Sequence, residues 1–318
     1  MRVVTANELV ELELSAPERW RLLERADHRV TMQWYGRRIC ACFDSAEQAE
    51  IFRKRYSAFV TTGKPELYSC AVQAGNDAQE PVFWTEPGSA YRYPAPLRGA
   101  EVMAFLADAV THRAFFDVNP DVISFHAAAI RVGNVAAALS AVSTGGKSTT
   151  AIACARRGMD LYTDERCVLR DGLVQPFPRA VNIRRGGLEL LCSEEVPGDL
   201  GIGRRLREHA GAEWISAPFG EVFGDRAVPA PAKLDAIFFI QGRSGIAQAT
   251  QLSIDDSIVR LLSAGLCGPQ PGLDRVAAAT ALFRRARVYS LSLGSPDDTA
   301  MLVAATTSRS RPLVAVGS

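Results

Sequence analysis

Lysine is scarce in this chain. Of 36 basic residues only four are lysines, Lys54, Lys64, Lys147 and Lys233, and the rest are arginines. Charge of one sign is also missing, because 35 acidic residues leave a formal net charge of +1. That balance removes the electrostatic argument for a nucleic-acid or membrane-surface protein. No apolar run approaches the ~20 residues that cross a bilayer. The opening MRVVTANELVELELS turns acidic where a secretion signal would be apolar, so a cytoplasmic protein is expected. Seven cysteines lack CxxC spacing, and Cys40 and Cys42 sit like alternate strand positions. A disulfide framework or zinc site is therefore not expected. What the chain does have is 47% hydrophobic against 22% charged residues, enough to build a core. Its 318 residues suggest two domains at about 150 residues each.

The first part reads as a small α+β unit. Asn7–Ala26 has a broken helical pattern, interrupted near Pro17. Alternation through Arg29–Phe43 predicts a hairpin turning at Tyr35-Gly36. Ser45, with Gln48 three residues on, predicts a helix running to about Phe59. Short strands are expected at Leu67–Val72 and Pro81–Thr85. The Pro-, Gly- and Tyr-rich stretch Glu86–Gly99 gives the expected boundary, with domains 1–95 and 96–318. Beyond it, helical spacing begins at Glu101. Strand-like and helix-like segments then alternate, including a strand at Ala236–Ile240 and a helix at Ser257–Leu266. That alternation predicts an α/β domain.

The chemistry lies between Phe125 and Arg170. Val135–Leu139 is strand-like and runs into SAVSTGGKSTT, followed by a helix over Ser148–Arg157 that stops at Gly158. Strand, small-residue loop, Lys-Ser and helix is the layout of a phosphate-binding loop. Small residues let backbone N–H groups converge on phosphate oxygens, a lysine adds charge, and the next hydroxyl reaches a metal ion. In a chain this poor in lysine, Gly145-Gly146-Lys147-Ser148-Thr149 carries weight. Ala141 stands where the usual pattern has its first glycine, so the loop must enter by a different turn. The bland alternative is a glycine-rich helix cap with Lys147 in solvent.

Asp164-Glu165 ends the next strand, Met159–Thr163, seventeen positions after Lys147. A strand–helix–strand crossover brings both strand ends to one sheet edge, placing the carboxylates for metal ligation or proton transfer. They could also form a charged surface turn. If Gly133-Asn134 makes a two-residue hairpin turn, His126 falls opposite Ala141 at the mouth of the loop, and a register shifted by one turn residue would set it opposite Leu139. A hydrogen-bonded core histidine is the alternative. His28, His112 and His209 are expected at the surface. Asp160 and Asp171 are weaker candidates, Asp171 lying in an Asp-Gly turn. Arg179 and Arg184 are open between site, surface and structural pairing. Arg204, Arg205 and Arg207 read as the solvated face of a short helix.

The stretch FHAAA…SAVSTGGKST…LYTDE, with PFPRAVNIR after it, resembles the C-terminal catalytic domain of the HPr kinase/phosphorylase superfamily. It is closer to the HPr-kinase-like proteins outside sugar regulation. The resemblance is strong over Ser124–Arg184, fades over Leu234–Val303 and is absent before about residue 95. It implies a P-loop-containing, HPr kinase/PEP carboxykinase-like mixed sheet preceded by a small α+β domain. It further implies ATP and Mg²⁺, with Ser143, Thr144, Gly145, Gly146, Lys147, Ser148 and Thr149 at the phosphates. Ser148 and Glu165 would hold the metal, Asp164 would be the catalytic base, and His126 would lie beside it. The function expected is phosphoryl transfer to a hydroxyl, foremost a serine of a protein or peptide, in a protein free to form a homo-oligomer. The alternatives are a small-molecule acceptor, or a nucleotide-binding regulator with little catalysis.

Overall fold

The computed structural model describes residues 9–73, 81–85, 90–94, 100–117, 119, 122–142, 144–193, 196, 199, 201–209, 214–224, 228–264, 277, 280–282 and 285–308. The chain divides into two compact units, Met1–Asn119 and Pro120–Ser318. Among the described residues, no helix is long and apolar enough to cross a membrane.

In the first unit, β1 (Val10–Leu12) precedes α1 (Ala16–Arg25), β2 (His28–Trp34), β3 (Arg37–Phe43) and α2 (Ala46–Arg55). Then come β4 (Leu67–Gln73), β5 (Pro81–Thr85), β6 (Ala90–Arg92) and α3 (Ala100–Asp117). The strands form one sheet in the order β1-β6-β5-β4-β3-β2. The β2–β3 hairpin turns where the sequence places it, because Tyr35 and Gly36 take φ of 48° and 89°, the left-handed pair of a tight hairpin turn. The expected broken helix over Asn7–Ala26 is different. Residues 7 and 8 lie outside the described residues, Val10–Leu12 is a strand, and Pro17 opens α1 rather than interrupting it. Proline fits a first helical turn because its missing N–H would have no helical partner there. Glu18 supports that start by accepting the Ser15 N–H at 2.8 Å.

Helix α3 belongs to this unit, packing on α2 and on β4 and β5. The break in the chain therefore falls after Asn119, later than the Pro/Gly-rich stretch suggests. A polar cluster ties α3 to α2 and the residue after it. The Tyr56 hydroxyl bonds the Asp108 carboxylate and lies 2.9 Å from His112 Nε2, and Arg55 reaches Asp108 at 3.4 Å. His112 is thus buried, not the surface residue expected from sequence. Its neighbours come from an element far away in the chain, which one-dimensional spacing does not reveal. Tyr56→Phe strips the shared hydroxyl from two buried polar groups and should cost about 1–3 kcal/mol, read as a lowered denaturant midpoint.

The second unit begins with β7 (Val122–Phe125), β8 (Ala128–Val132), β9 (Val135–Ser140), α4 (Lys147–Arg156), β10 (Asp160–Thr163), β11 (Cys167–Arg170) and β12 (Leu173–Gln175). It continues through β13 (Val181–Arg184), α5 (Arg185–Cys192), α6 (Ile202–Glu208), β14 (Trp214–Ala217) and α7 (Phe219–Phe223). Then follow β15 (Ala232–Arg243), β16 (Gln248–Gln251), α8 (Ile254–Ser263), β17 (Arg287–Leu293) and α9 (Pro296–Ser308). A nine-stranded sheet runs β10-β8-β9-β15-β12-β11-β7, with β17 on β15 and β16 on β17. Pairings β9–β15 and β15–β17 are parallel and the others in this sheet antiparallel, so this is a mixed α/β unit.

The central strand β9 reads VAAALS and is buried on both faces. Ala137 and Leu139 join one core with α4 and α9, while Ala136 and Ala138 join the other with Leu261 of α8. Such strands show no polar alternation because neither face meets water. Helix α4 is likewise buried almost all round, from Thr150 to Arg156. Its small side chains let it lie close on the sheet.

Candidate functional site

Two pairs of strands in the second unit behave as one interrupted ribbon. Before the interruption Thr163 of β10 lies opposite Ala129 of β8, and after it Cys167 of β11 lies opposite Phe125 of β7. The register flanking the gap is the same on both sides, a bulge between Leu161 and Thr163 having already shifted β10 by one residue against β8. The break in one strand, His126–Ala127, therefore faces the break in the other, Asp164–Arg166. Side chains that would otherwise extend a ladder are released at this gap. The β8–β9 hairpin turns at Gly133-Asn134 in the register expected, with Val132 opposite Val135 and Ala128 opposite Leu139. Ser140 at the end of β9 donates its hydroxyl to the His126 carbonyl at 3.1 Å, fixing the gap beside the loop that follows.

That loop, from Ala141 to Gly146, closes on itself through the Gly145 N–H and the Val142 carbonyl at 3.0 Å. Ala141 keeps a negative φ, while Thr144 and Gly146 take 70° and 92°. The left-handed turn has thus moved away from the position usually held by the first glycine. A methyl at Gly145 would meet the Ala141 Cβ at 2.9 Å, so Ala141 makes the later glycine obligatory. Thr144 is branched at Cβ and strained by its φ. Ser143 lies outside the described residues. Gly146 is the N-cap of α4 and, having no side chain, cannot itself bond the first-turn N–H groups, which a helix start can offer to an anion. Gly146→Ala would force an L side chain into that φ and against Leu293 Cδ1 at 2.7 Å. The expected loss is about 1–2 kcal/mol, seen as a lower Tm.

Lys147 opens α4, yet its side chain is only 8% exposed. It turns into the gap, and its Nζ lies 2.7 Å from His126 Nε2 and 3.3 Å from Nδ1. The solvated lysine of the bland reading is not what the chain contains. His126 Nδ1 is also 3.3 Å from Glu165 Oε1, and Glu165 Oε2 is 4.0 Å from the Arg179 guanidinium. Asp164 is 1% exposed, accepts the Asn182 backbone N–H at 2.8 Å through Oδ2, and keeps Oδ1 buried with no hydrogen-bond partner. The two neighbouring carboxylates are thus held in different surroundings.

Their acidities diverge accordingly. Burial, reinforced by the Glu165 charge and opposed by Arg179, pushes Asp164 up to about 6. Burial pushes Glu165 upward too, but Lys147, Arg179, His126 and Arg166 outweigh it and hold this carboxyl at about 2. Burial and the Lys147 charge push His126 down to about 4, leaving a neutral imidazole near pH 7. Burial also lowers Lys147, against the pull of Glu165 and Asp164. Paired groups pushed apart in this way separate a permanent charge from a group able to exchange protons near neutral pH.

Other candidates fall out differently. Arg179 is buried at the site, whereas Arg184 is exposed at the start of α5. Asp160 begins β10, away from the gap, and Asp171 sits in the β11–β12 turn at φ 52°. Arg204 and Arg207 are exposed on α6, while Arg205 is half-buried and bonds the Val222 carbonyl. Sequence reasoning missed Arg166, which donates to the Ser124 hydroxyl at 3.1 Å and acts electrostatically on His126 and Glu165. Its position directly after the acidic pair is the available signal. It also missed the Asn182 N–H, which no side-chain pattern encodes.

Among the described residues, no cluster of three His, Cys, Asp or Glu side chains is arranged to hold a metal unaided. Mg²⁺ needs less, since it is usually held by one or two protein oxygens plus phosphate and water. The ionised, one-third-exposed Glu165 and the partly exposed Ser148 beside Lys147 are hard oxygen donors that fit that demand. No family model and no curated protein matches this chain.

Proposed function

We propose that this chain is an ATP- and Mg²⁺-dependent kinase of the HPr-kinase-like type, transferring the γ-phosphoryl group to a hydroxyl. The observation that carries the reading is the meeting of Lys147, at a helix start whose N-cap is Gly146, with a carboxylate pair split in acidity across the ribbon gap. In this reading the loop amides and Lys147 neutralise phosphate charge. Bound Mg²⁺, held by Ser148 and Glu165, would offset the charge of the β- and γ-phosphates. Asp164 offers its unpartnered Oδ1 to the acceptor hydroxyl and takes its proton. Lys147, with Arg179, keeps Glu165 ionised. The acceptor is a serine of a protein or peptide by resemblance, and a HPr kinase/PEP carboxykinase-like fold goes with it.

A nucleotide-binding regulator with little catalysis is favoured by one observation, the strained Thr144 in a loop that begins with Ala141. Calorimetric titration with ATP, with and without Mg²⁺, combined with a γ-labelled ATP screen against extract proteins and peptides, separates the two. Binding and a labelled acceptor support the kinase. Binding without any turnover supports the regulator, and absent binding removes both.

The pH dependence follows from the same groups. Asp164 must be ionised to accept a proton, so ATP turnover should rise with pH through about 6. His126 at about 4 and Glu165 at about 2 do not change charge in that window. ATP affinity measured over pH 5–7 should lack a step of the same size.

A further inference from the structure

We propose, resting on the kinase reading, that Thr163 is a positioning residue whose hydroxyl sets the acidic half of the ribbon gap and, through Glu165, the Mg²⁺ requirement of ATP binding. The two halves of the gap are held by different means. His126 is fixed from outside its own strand. Its N–H bonds the carbonyl of Ala264, the C-cap of α8, at 2.9 Å, and its carbonyl takes the Ser140 hydroxyl. The acidic half is fixed from within. Residues 164–166 fall between the two pairings, so N–H groups there need acceptors outside the ladder. The Thr163 hydroxyl oxygen serves two of them, accepting the Glu165 N–H at 3.2 Å and the Arg166 N–H at 3.3 Å. That oxygen has two lone pairs, and such local bonds let threonine draw a chain out of a strand.

The turn decides where the side chains go. In a straight strand consecutive residues point to opposite faces, so a neighbouring acidic pair could not serve one site. Here the turned chain brings the Asp164 carboxylate to the Asn182 N–H and the Glu165 carboxylate to His126, while Arg166 reaches the Ser124 hydroxyl. The bulge before Thr163 is part of the device. Leu161 lies opposite Ile130, and that register continued would set Thr163 opposite Ala128. The extra residue sets it opposite Ala129 instead, on the other face of the sheet. Thr163 is 2% exposed, so water competes little for its hydroxyl. A valine would suit the strand equally well, which leaves the hydroxyl as the informative part of this residue.

The test uses the full-length protein and three forms of residue 163. Without ligand, amide hydrogen exchange should find Glu165 and Arg166 protected in the wild type and in Thr163→Ser, and fast in Thr163→Val. Calorimetric titration with ATP should show the Mg²⁺ concentration for half-maximal binding raised about 10-fold or more in Thr163→Val and unchanged in Thr163→Ser. ATP binding without Mg²⁺ should be equal in all three, since Lys147 and its loop are untouched. A merely structural threonine would weaken both kinds of binding together. Thr163→Val with the wild-type Mg²⁺ requirement overturns the proposal and leaves the kinase reading standing. A serine variant that behaves like valine overturns it too, pointing to packing of the methyl group. If Thr163→Val does not fold, Thr163→Cys takes its place, because a thiol is a weak acceptor. A Mg²⁺ requirement in Thr163→Cys equal to that of Thr163→Ser is then the overturning result. Wild-type protein that binds no ATP overturns the kinase reading and this proposal together.

Discussion

Lys147→Met should lower ATP affinity by about 10²-fold or more and abolish turnover, because a charge-assisted contact to phosphate has no substitute in the loop. Methionine is the informative replacement, since it keeps the buried stem and removes only the charge. The variant should stay folded, because α4 is anchored by Ala151, Ile152, Ala153, Cys154 and Ala155 rather than by its first residue. Loss of Lys147 also takes away the largest charge holding Glu165 at low pKa. Its carboxyl should therefore move upward, which a carbon-detected NMR titration of the Glu165 side chain reads directly. Unchanged ATP affinity by calorimetry would remove the phosphate-loop assignment altogether.

Asp164→Asn should leave ATP bound and cut transfer by about 10²–10⁴-fold. The amide keeps one oxygen for the Asn182 N–H and replaces the unpartnered Oδ1 with an amino group that has no basicity. Because the native carboxyl is buried and raised to about 6, the neutral amide should also be tolerated by the fold, with stability at pH 7 equal to or above that of the parent. The sign follows from linkage. A carboxyl with a raised folded pKa loses stability as pH climbs through the range between its unfolded and folded values, and the amide escapes that loss. Glu165→Gln should do the opposite, weakening Mg²⁺-dependent binding more than the proton-transfer step. If Glu165→Gln proves the more damaging to turnover with Mg·ATP binding intact, the two roles are exchanged.

Much of this was legible in the sequence, though unevenly. The Gly133-Asn134 turn fixes a register by counting, and counting is enough to bring His126 to the end of β9. The loop and α4 are legible because small residues, Lys147 and Gly158 mark them in order. The hairpin at Tyr35-Gly36 is legible for the same local reason. The pairing of β10 with β8 and of β11 with β7 is not, since each joins strands far apart in the chain with no connecting turn to count from. Without that register, the contact of His126 with Lys147 and Glu165 has no signature. The attachment of α3 to the first unit was hidden too. Its hydrophobic residues run almost all round the helix, so no stripe indicates which side it serves.

The shared register of the interrupted ribbon has a consequence for how the chain tolerates change in length. One residue inserted between Ala128 and Val132, or between Asp160 and Thr163, adds to the single-residue bulge that β10 already carries between Leu161 and Thr163 and offsets one half of the gap from the other. Unless a second bulge absorbs it, the two halves of the gap no longer face each other. The Gly133-Asn134 turn is the exception, because it lies at the far end of β8 and β9 and both its residues are exposed. Peptide tags or reporter loops spliced there lengthen the chain without shifting either strand, which makes that turn the natural point of attachment for surface immobilisation.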